Sequence, residues 1–262
     1  MQYEIIDFHT HPFFENKDNI CNHKAFLSMN ADTGRELFRT LGISKICGSV
    51  ISVEPLKEGE SIWDRIKENN DTALKLREYY QGFYVPGFHI HPDYIQESIA
   101  EIERMAKLNV KLMGELVPYI HHYKGFTQKG MDELIECATA HGMVINVHTG
   151  ADEEDMDEMV KRHPKTTFVA AHPGEYRTFL RHVQRAKLSE NYCVDVSGSG
   201  MFRFGLLRRL LDELGADRVL FGSDYPTCNP AMFVGAVALD TLITEEEKKK
   251  VFSENAKRLL YF

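Results

Sequence analysis

The chain has little that would tie it to nucleic acid or to a membrane. It carries 31 Lys and Arg against 39 Asp and Glu, a formal charge of -8 over 262 residues. A field of that sign repels polyanions and works against phosphate-backbone binding. The longest apolar run, Ala231 to Leu239, falls well short of the roughly 20 residues needed to cross a bilayer, and Met1 to Asp7 lacks the basic start and apolar stretch of a secretory leader. The five cysteines (Cys21, Cys47, Cys137, Cys193, Cys228) are scattered, odd in number and without a C-x-x-C pair. Zinc ribbons and dithiol redox sites are thereby disfavoured, and reduced thiols are the simplest reading. Gly198-Ser199-Gly200 lacks the wider pattern of a P-loop or a dinucleotide fold, although its backbone amides could meet an anion. With no proline- or serine-rich linker, no internal repeat and no low-complexity tract, one domain over residues 1–262 is expected, in a cytoplasmic protein that acts on a small molecule.

What the chain does have is a regular alternation. Eight short runs rich in β-branched and aromatic residues are separated by longer stretches with helical periodicity. The runs are Glu4 to His9, Ser44 to Val53, Phe83 to His89, Val110 to Leu116, Met143 to Thr149, Thr167 to His172, Tyr192 to Ser197 and Arg218 to Asp224. Leu41-Gly42, His141-Gly142 and Leu214-Gly215 put glycine where a left-handed helix end belongs, just before a run, and Leu108-Asn109 does the same with asparagine. Pro164 stops the helix before the sixth run, and Asn229-Pro230 offers an N-cap followed by proline at the first helical position. Strands alternating with helices pair in parallel through helical crossovers. Eight units in this length predict a TIM-type (β/α)₈ barrel, with a doubly wound sheet as the runner-up. Thr244-Glu245-Glu246-Glu247 reads as a capping box, so a C-terminal helical extension is expected from about residue 244, with Val251, Phe252, Leu259 and Leu260 as its apolar stripe.

Side chains two residues apart on a strand share a face, so His9 and His11 can reach one cation. The spacing alone says little, because His89 and His91 have it too. Company distinguishes the first pair: Glu115, His148, His172 and Asp224 end the fourth, fifth, sixth and eighth runs, and a barrel delivers every strand end to one face. Lys111, the only lysine of the fourth run, lies about four residue rises, roughly 13 Å, nearer the other end of the barrel than Glu115. Tyr119, His121, His122 and Tyr225 fall in or near loops on the presumed active face. Arg177 and Arg203 follow the sixth and seventh runs, where an arginine can hold a carboxylate or simply be solvated.

Several segments together resemble the amidohydrolase superfamily: Asp7-Phe8-His9-Thr10-His11-Pro12, Gly114-Glu115, Asn146-Val147-His148, Ala171-His172-Pro173-Gly174 and Gly222-Ser223-Asp224-Tyr225-Pro226, with Glu254-Asn255-Ala256-Lys257-Arg258-Leu259-Leu260 at the tail. Over essentially the whole chain the likeness is to the amidohydrolase-related (amidohydrolase 2) branch, which holds aminocarboxymuconate-semialdehyde decarboxylase-like proteins and lactone hydrolases. The resemblance implies His9, His11, His148 and Asp224 as ligands of one metal, usually zinc, and His172 as a catalytic or substrate-polarising residue. Glu115 departs from that pattern and is similar to the bridging carboxylate of TatD-type deoxyribonucleases, so the implied count is one or two divalent ions.

The reading of function that follows is a metal-dependent hydrolase. A divalent ion lowers the pKa of water toward about 7 for attack on a carbonyl of an amide, lactone or ester, Asp224 takes up the proton, and His172 or a second ion polarises the carbonyl. The alternative is non-oxidative decarboxylation of a small aromatic or enolic acid held by Arg177 and Arg203. Phosphodiester cleavage rests on Glu115 alone and is opposed by the acidic balance, and a non-catalytic metal- or ligand-binding barrel need not keep all six ligand-type residues. Homodimers are the commonest assembly for such proteins, but no residue here marks an interface.

Overall fold

The computed structural model describes residues 3–21, 24, 26–149 and 153–261. Eight parallel strands pair in sequence order, β1 (Ile5–Thr10), β2 (Ile43–Gly48), β3 (Tyr84–Phe88), β4 (Leu112–Leu116), β5 (Val144–Val147), β6 (Thr167–Ala170), β7 (Tyr192–Asp195) and β8 (Val219–Leu220). The seam between β8 and β1 is closed by backbone bonds. Phe8 N–H donates to the Phe221 carbonyl at 2.9 Å, Asp224 N–H to the His9 carbonyl at 2.9 Å, and His11 N–H to the Tyr225 carbonyl at 2.6 Å. The fold is a TIM barrel, as the alternation of runs predicts.

The helices between strands are α1 (Ala31–Thr40), α2 (Ile62–Tyr80), α3 (Ile95–Lys107), α4 (Met131–Ala140), α5 (Glu153–Arg162), α6 (Tyr176–Leu188) and α7 (Leu206–Leu214), and α8 (Pro230–Ala238) follows β8. Their ends follow the local signals. Gly42, Asn109, Gly142 and Gly215 all have positive φ at the helix-to-strand junctions, and the Asn229 side chain accepts from Ala231 N–H at 3.0 Å, ahead of Pro230.

Both faces of the strands are buried, as a parallel sheet inside a ring of helices requires. Residues such as Ile145, Val147, Phe168, Tyr192 and Val194 pack outward against the helices. Leu112, Val144, Val169, Cys193 and Leu220 fill the barrel, joined at its base by Ala256, Leu259 and Leu260 from the tail. The tail runs as α9 (Glu245–Lys249), a π-helical turn over Lys250–Glu254, and α10 (Asn255–Leu260). Thr244 and Glu247 form the expected capping box, and Phe252 packs on Phe221 and Tyr3 with ring centroids 5.2 and 5.4 Å away. Among the described residues, no helix is long and apolar enough to cross a membrane.

Six runs, the second, third, fifth, sixth, seventh and eighth, stop short of their predicted ends, and the sixth and eighth matter most for the site. The sixth and eighth strands end at Ala170 and Leu220 rather than reaching His172 and Asp224. These two residues instead adopt left-handed backbone, with φ of 66° and 61°. Non-glycine residues seldom hold that conformation, and it recurs at functional sites where surrounding contacts fix it. Here the His172 carbonyl accepts from His182 Nε2 on α6 at 3.0 Å and from the Thr149 hydroxyl at 3.2 Å.

Candidate metal centre

Six ligand-type side chains predicted at five strand ends meet at the C-terminal mouth of the barrel. His9 and His11 Nε2 atoms lie 3.3 Å apart. Glu115 Oε2 stands 3.5 Å from the first and 3.3 Å from the second, and Asp224 Oδ1 stands 3.8 and 3.5 Å from them. The other Glu115 oxygen, Oε1, lies 2.9 Å from His148 Nδ1 and 3.7 Å from His172 Nε2. Among the described residues, two groups have the spacing to hold an ion, His9 with His11 and Asp224, and His9 with Glu115 and His172. His148 belongs to neither and is bonded to Glu115 instead.

The outer nitrogens decide whether this set fits a cation. His11 Nδ1 lies 3.1 Å from the Ser49 carbonyl, which can only accept, so the ring carries its proton there and offers a lone pair at Nε2. His9 Nδ1 lies 2.9 Å from the Asp195 carboxylate and is fixed the same way. Two imidazole Nε2 atoms and two carboxylate oxygens then face one another in a buried space, balanced only by a proton on His9 or by a bound cation. Such a set repels itself unless a cation sits among its members, and mixed imidazole and carboxylate donors suit divalent metals. The donor set therefore fits a divalent metal.

The electrostatics agree. Burial opposes charge on the His9 ring, but the Asp195 and Glu115 carboxylates outweigh it and hold its pKa well above the usual histidine value. Burial likewise opposes ionisation of Glu115, yet His9 and His148 hold it well below the ordinary carboxylate range. At the rim, burial raises the pKa of Asp224 and lowers that of His172.

Comparison with known proteins places this geometry in context. The model of the family described as Amidohydrolase matches residues 6–262. The chain belongs to the amidohydrolase family. No curated protein sequence matches it. Among solved structures, this family member is similar to a 2,6-dihydroxybenzoate decarboxylase from Rhizobium, at TM-score 0.77 and 15% identity over 99% of each chain. It is also similar to a 5-carboxyvanillate decarboxylase from Sphingomonas paucimobilis, at 0.73 and 15% over 100% of each. A third, the 5-carboxyvanillate decarboxylase of Novosphingobium aromaticivorans solved with manganese, matches at 0.73 and 16%, covering 100% of this chain and 97% of that one.

Other candidate residues of this amidohydrolase fall differently. Tyr119 stands at the mouth, 60% exposed, with its ring edge-on to His148 at 5.3 Å. It also lines a cavity of about 330 Å³ with His121, His122 and residues of the β2–α2 loop. Tyr225 does not join a substrate pocket: it is buried against Phe13 and Phe38, and its hydroxyl lies so close to Gly34 that a Cβ there would meet it at 2.5 Å. Arg203 turns outward, 61% exposed and paired with Glu175 at 2.9 Å, and Arg177 is exposed on the first turn of α6. Neither arginine bonds to the cluster among the described residues. The second H-x-H pair is structural: His89 Nε2 donates to the Val50 carbonyl at 3.0 Å and His91 Nε2 to the His121 carbonyl at 2.9 Å. Lys111 reaches the His141 carbonyl at 2.9 Å, at the far end of β4.

Three residues not singled out from the sequence organise the site. Ser49 holds His11 with its carbonyl and accepts from Glu115 N–H on its hydroxyl at 3.1 Å. Asp195 and Ser197 stand behind His9 and His172. The strand-end rule that finds Glu115 and His148 applies equally to Asp195, which closes β7, whereas Ser49 carries no such signal.

Proposed function

We propose that this amidohydrolase-family protein is a divalent-metal-dependent decarboxylase that removes carbon dioxide from a small hydroxylated aromatic or enolic acid without an oxidant. The observation that carries the reading is the likeness, over the whole chain, to structures whose names give them that activity, joined to a site whose donors suit a divalent metal. Manganese accompanies one of those structures, so Mn²⁺ is proposed beside the Zn²⁺ that the sequence resemblance implies. His9, His11, Asp224 and Glu115 would hold the ion, with His172 as a further donor beside Glu115, and the ion would supply a Lewis acid for the acid's oxygens.

The chemistry exchanges a carboxylate for a proton: the bond to the leaving carbon breaks, its electron pair stays on the substrate carbon, and a proton arrives there. Asp224 is suited to carry that proton, because burial favours its neutral form and it stands at the edge of the cluster, with its side chain 10% exposed. His172, with its lone pair facing Glu115, orients the substrate and keeps the proton on one path. Tyr119 and the cavity beside it give the substrate ring a wall.

Metal-dependent hydrolysis is the second reading, favoured by Glu115. Its two oxygens face different histidine sets, as a carboxylate shared by two ions about 3.5–4 Å apart would require. The protein loaded with Mn²⁺ or Zn²⁺ should release carbon dioxide from 2,6-dihydroxybenzoate, 5-carboxyvanillate or a related acid. Turnover of lactones or esters, with no carbon dioxide from any acid, would replace the first reading with the second.

A further inference from the structure

We infer that Asp195 is a shared positioning residue whose single carboxylate holds a ring proton on Nδ1 of two histidines, His9 from β1 and His172 after β6, so that both turn Nε2 toward the metal site. The inference rests on the metal-centre reading and extends the role of Asp195 from His9 to His172.

Asp195 is fully buried, and every polar contact the structure gives it is a donor. Oδ2 receives His9 Nδ1–H at 2.9 Å and the Asn146 amide at 3.4 Å. Oδ1 receives the backbone N–H of Ser197 at 3.0 Å, that of His172 at 3.5 Å, and the Ser197 hydroxyl in a short contact. A hydroxyl has one proton to give. Because Ser197 spends it on Asp195, its oxygen faces His172 Nδ1, 3.0 Å away, as an acceptor. His172 must therefore carry its proton on Nδ1. One carboxylate thus sets His9 directly and His172 through one hydroxyl, and the two rings lie tilted by 36° at a centroid distance of 5.3 Å with their Nε2 atoms turned toward Glu115. Gly198 completes the support, since a Cβ there would lie 2.2 Å from His172 Nδ1.

Two substitutions separate the two arms. In Ser197→Ala the bond to His172 is lost and that to His9 is kept. In Asp195→Asn the amide oxygen can still accept from His9, but the amide nitrogen then donates to Ser197. The freed hydroxyl proton turns to His172 and moves that ring's own proton to Nε2, which removes it as a ligand. Outer partners of metal-bound histidines typically carry 10–100-fold of metal affinity.

The test is long-range ¹H–¹⁵N spectroscopy of the histidine rings in the metal-free protein, together with Mn²⁺ binding followed by the free-ion electron paramagnetic resonance signal. Wild type should show Nδ1–H rings for His9 and His172. Asp195→Asn should show an Nε2–H ring at His172 and bind Mn²⁺ about 10–100-fold more weakly, and Ser197→Ala should release only His172. An Nε2–H ring at His172, or a His9 ring without its Nδ1 proton, in wild type would overturn the inference, as would wild-type Mn²⁺ affinity in folded Asp195→Asn. If Asp195→Asn fails to fold, the wild-type and Ser197→Ala spectra still decide. A wild type that shows both Nδ1–H rings but binds no Mn²⁺ or Zn²⁺ would instead remove the metal-centre reading and leave the proton arrangement standing.

Discussion

Single residues decide whether the mouth of this barrel works as a metal centre, and the most exacting is Glu115. Its two oxygens serve opposite sides of the cluster. Glu115→Gln should keep the fold while weakening metal binding, and if two ions bind in wild type the variant should retain only one; metal analysis of dialysed protein reads both outcomes. Gly198 is the second such position. With φ of +57° and the His172 ring where a Cβ would lie, Gly198→Ala should push that imidazole aside. A displacement of about 1 Å can cost about 100-fold in turnover, so the rate should fall far more than the urea midpoint. Buried histidines also set the acid limit of stability. His182 lies between Tyr192 and the His172 carbonyl, and burial pushes its pKa down to about 3; burial likewise takes His89 to about 4. Both are neutral when folded and bind protons when unfolded below about 6.5, so their contribution is fully present above that pH and is lost as pH falls toward 4. Asp7, pushed up to about 7 by burial, acts in the opposite sense over the same range, but it is one group against two. His182→Gln should flatten the rise of unfolding free energy between pH 4.5 and 6.5 by up to about 1.4 kcal/mol per pH unit, measured by urea denaturation at several pH values.

At the scale of elements, most of the architecture is legible in the chain, because strand and helix periods differ and the punctuation is local. Gly42, Asn109, Gly142 and Gly215 mark four junctions, and each adopts the left-handed backbone its residue type favours. The strand errors are mostly of one kind: six runs stop one to five residues early, those predicted to reach His172 and Asp224 by two and four. Apolar patterning continues past the last ladder bond, so it does not register where the backbone turns out of the barrel. The site shows the same division. The strand-end rule brings His9, His11, Glu115, His148, His172 and Asp224 together, but it does not foresee that Tyr225 packs inward on Phe13 or that Arg203 pairs with Glu175. Loop side chains take their partners from tertiary contacts that have no sequence period. The tail is an element with a measurable role: Phe252, fully buried in the π-helical turn against Phe221 and Tyr3, should cost about 3–5 kcal/mol on substitution by alanine, read as a lowered urea midpoint with the metal-site histidine spectrum unchanged.

For the molecule as a whole, the closed sheet gathers residues from the ends of β1 and β4 and from just beyond β5, β6 and β8 into one cluster that no short segment could supply. Its acidic balance and buried donors suit a cation and a small acid rather than a polyanion. The central claim is that this cluster is a divalent metal centre, and metal content tests it most directly. Protein purified without chelator and dialysed should carry between one and two equivalents of Mn²⁺ or Zn²⁺ by plasma mass spectrometry, and a folded His9→Ala, His11→Ala double variant should carry far less. Wild-type protein that holds no divalent metal, yet turns over its substrate undiminished in the presence of a strong chelator, would contradict the account.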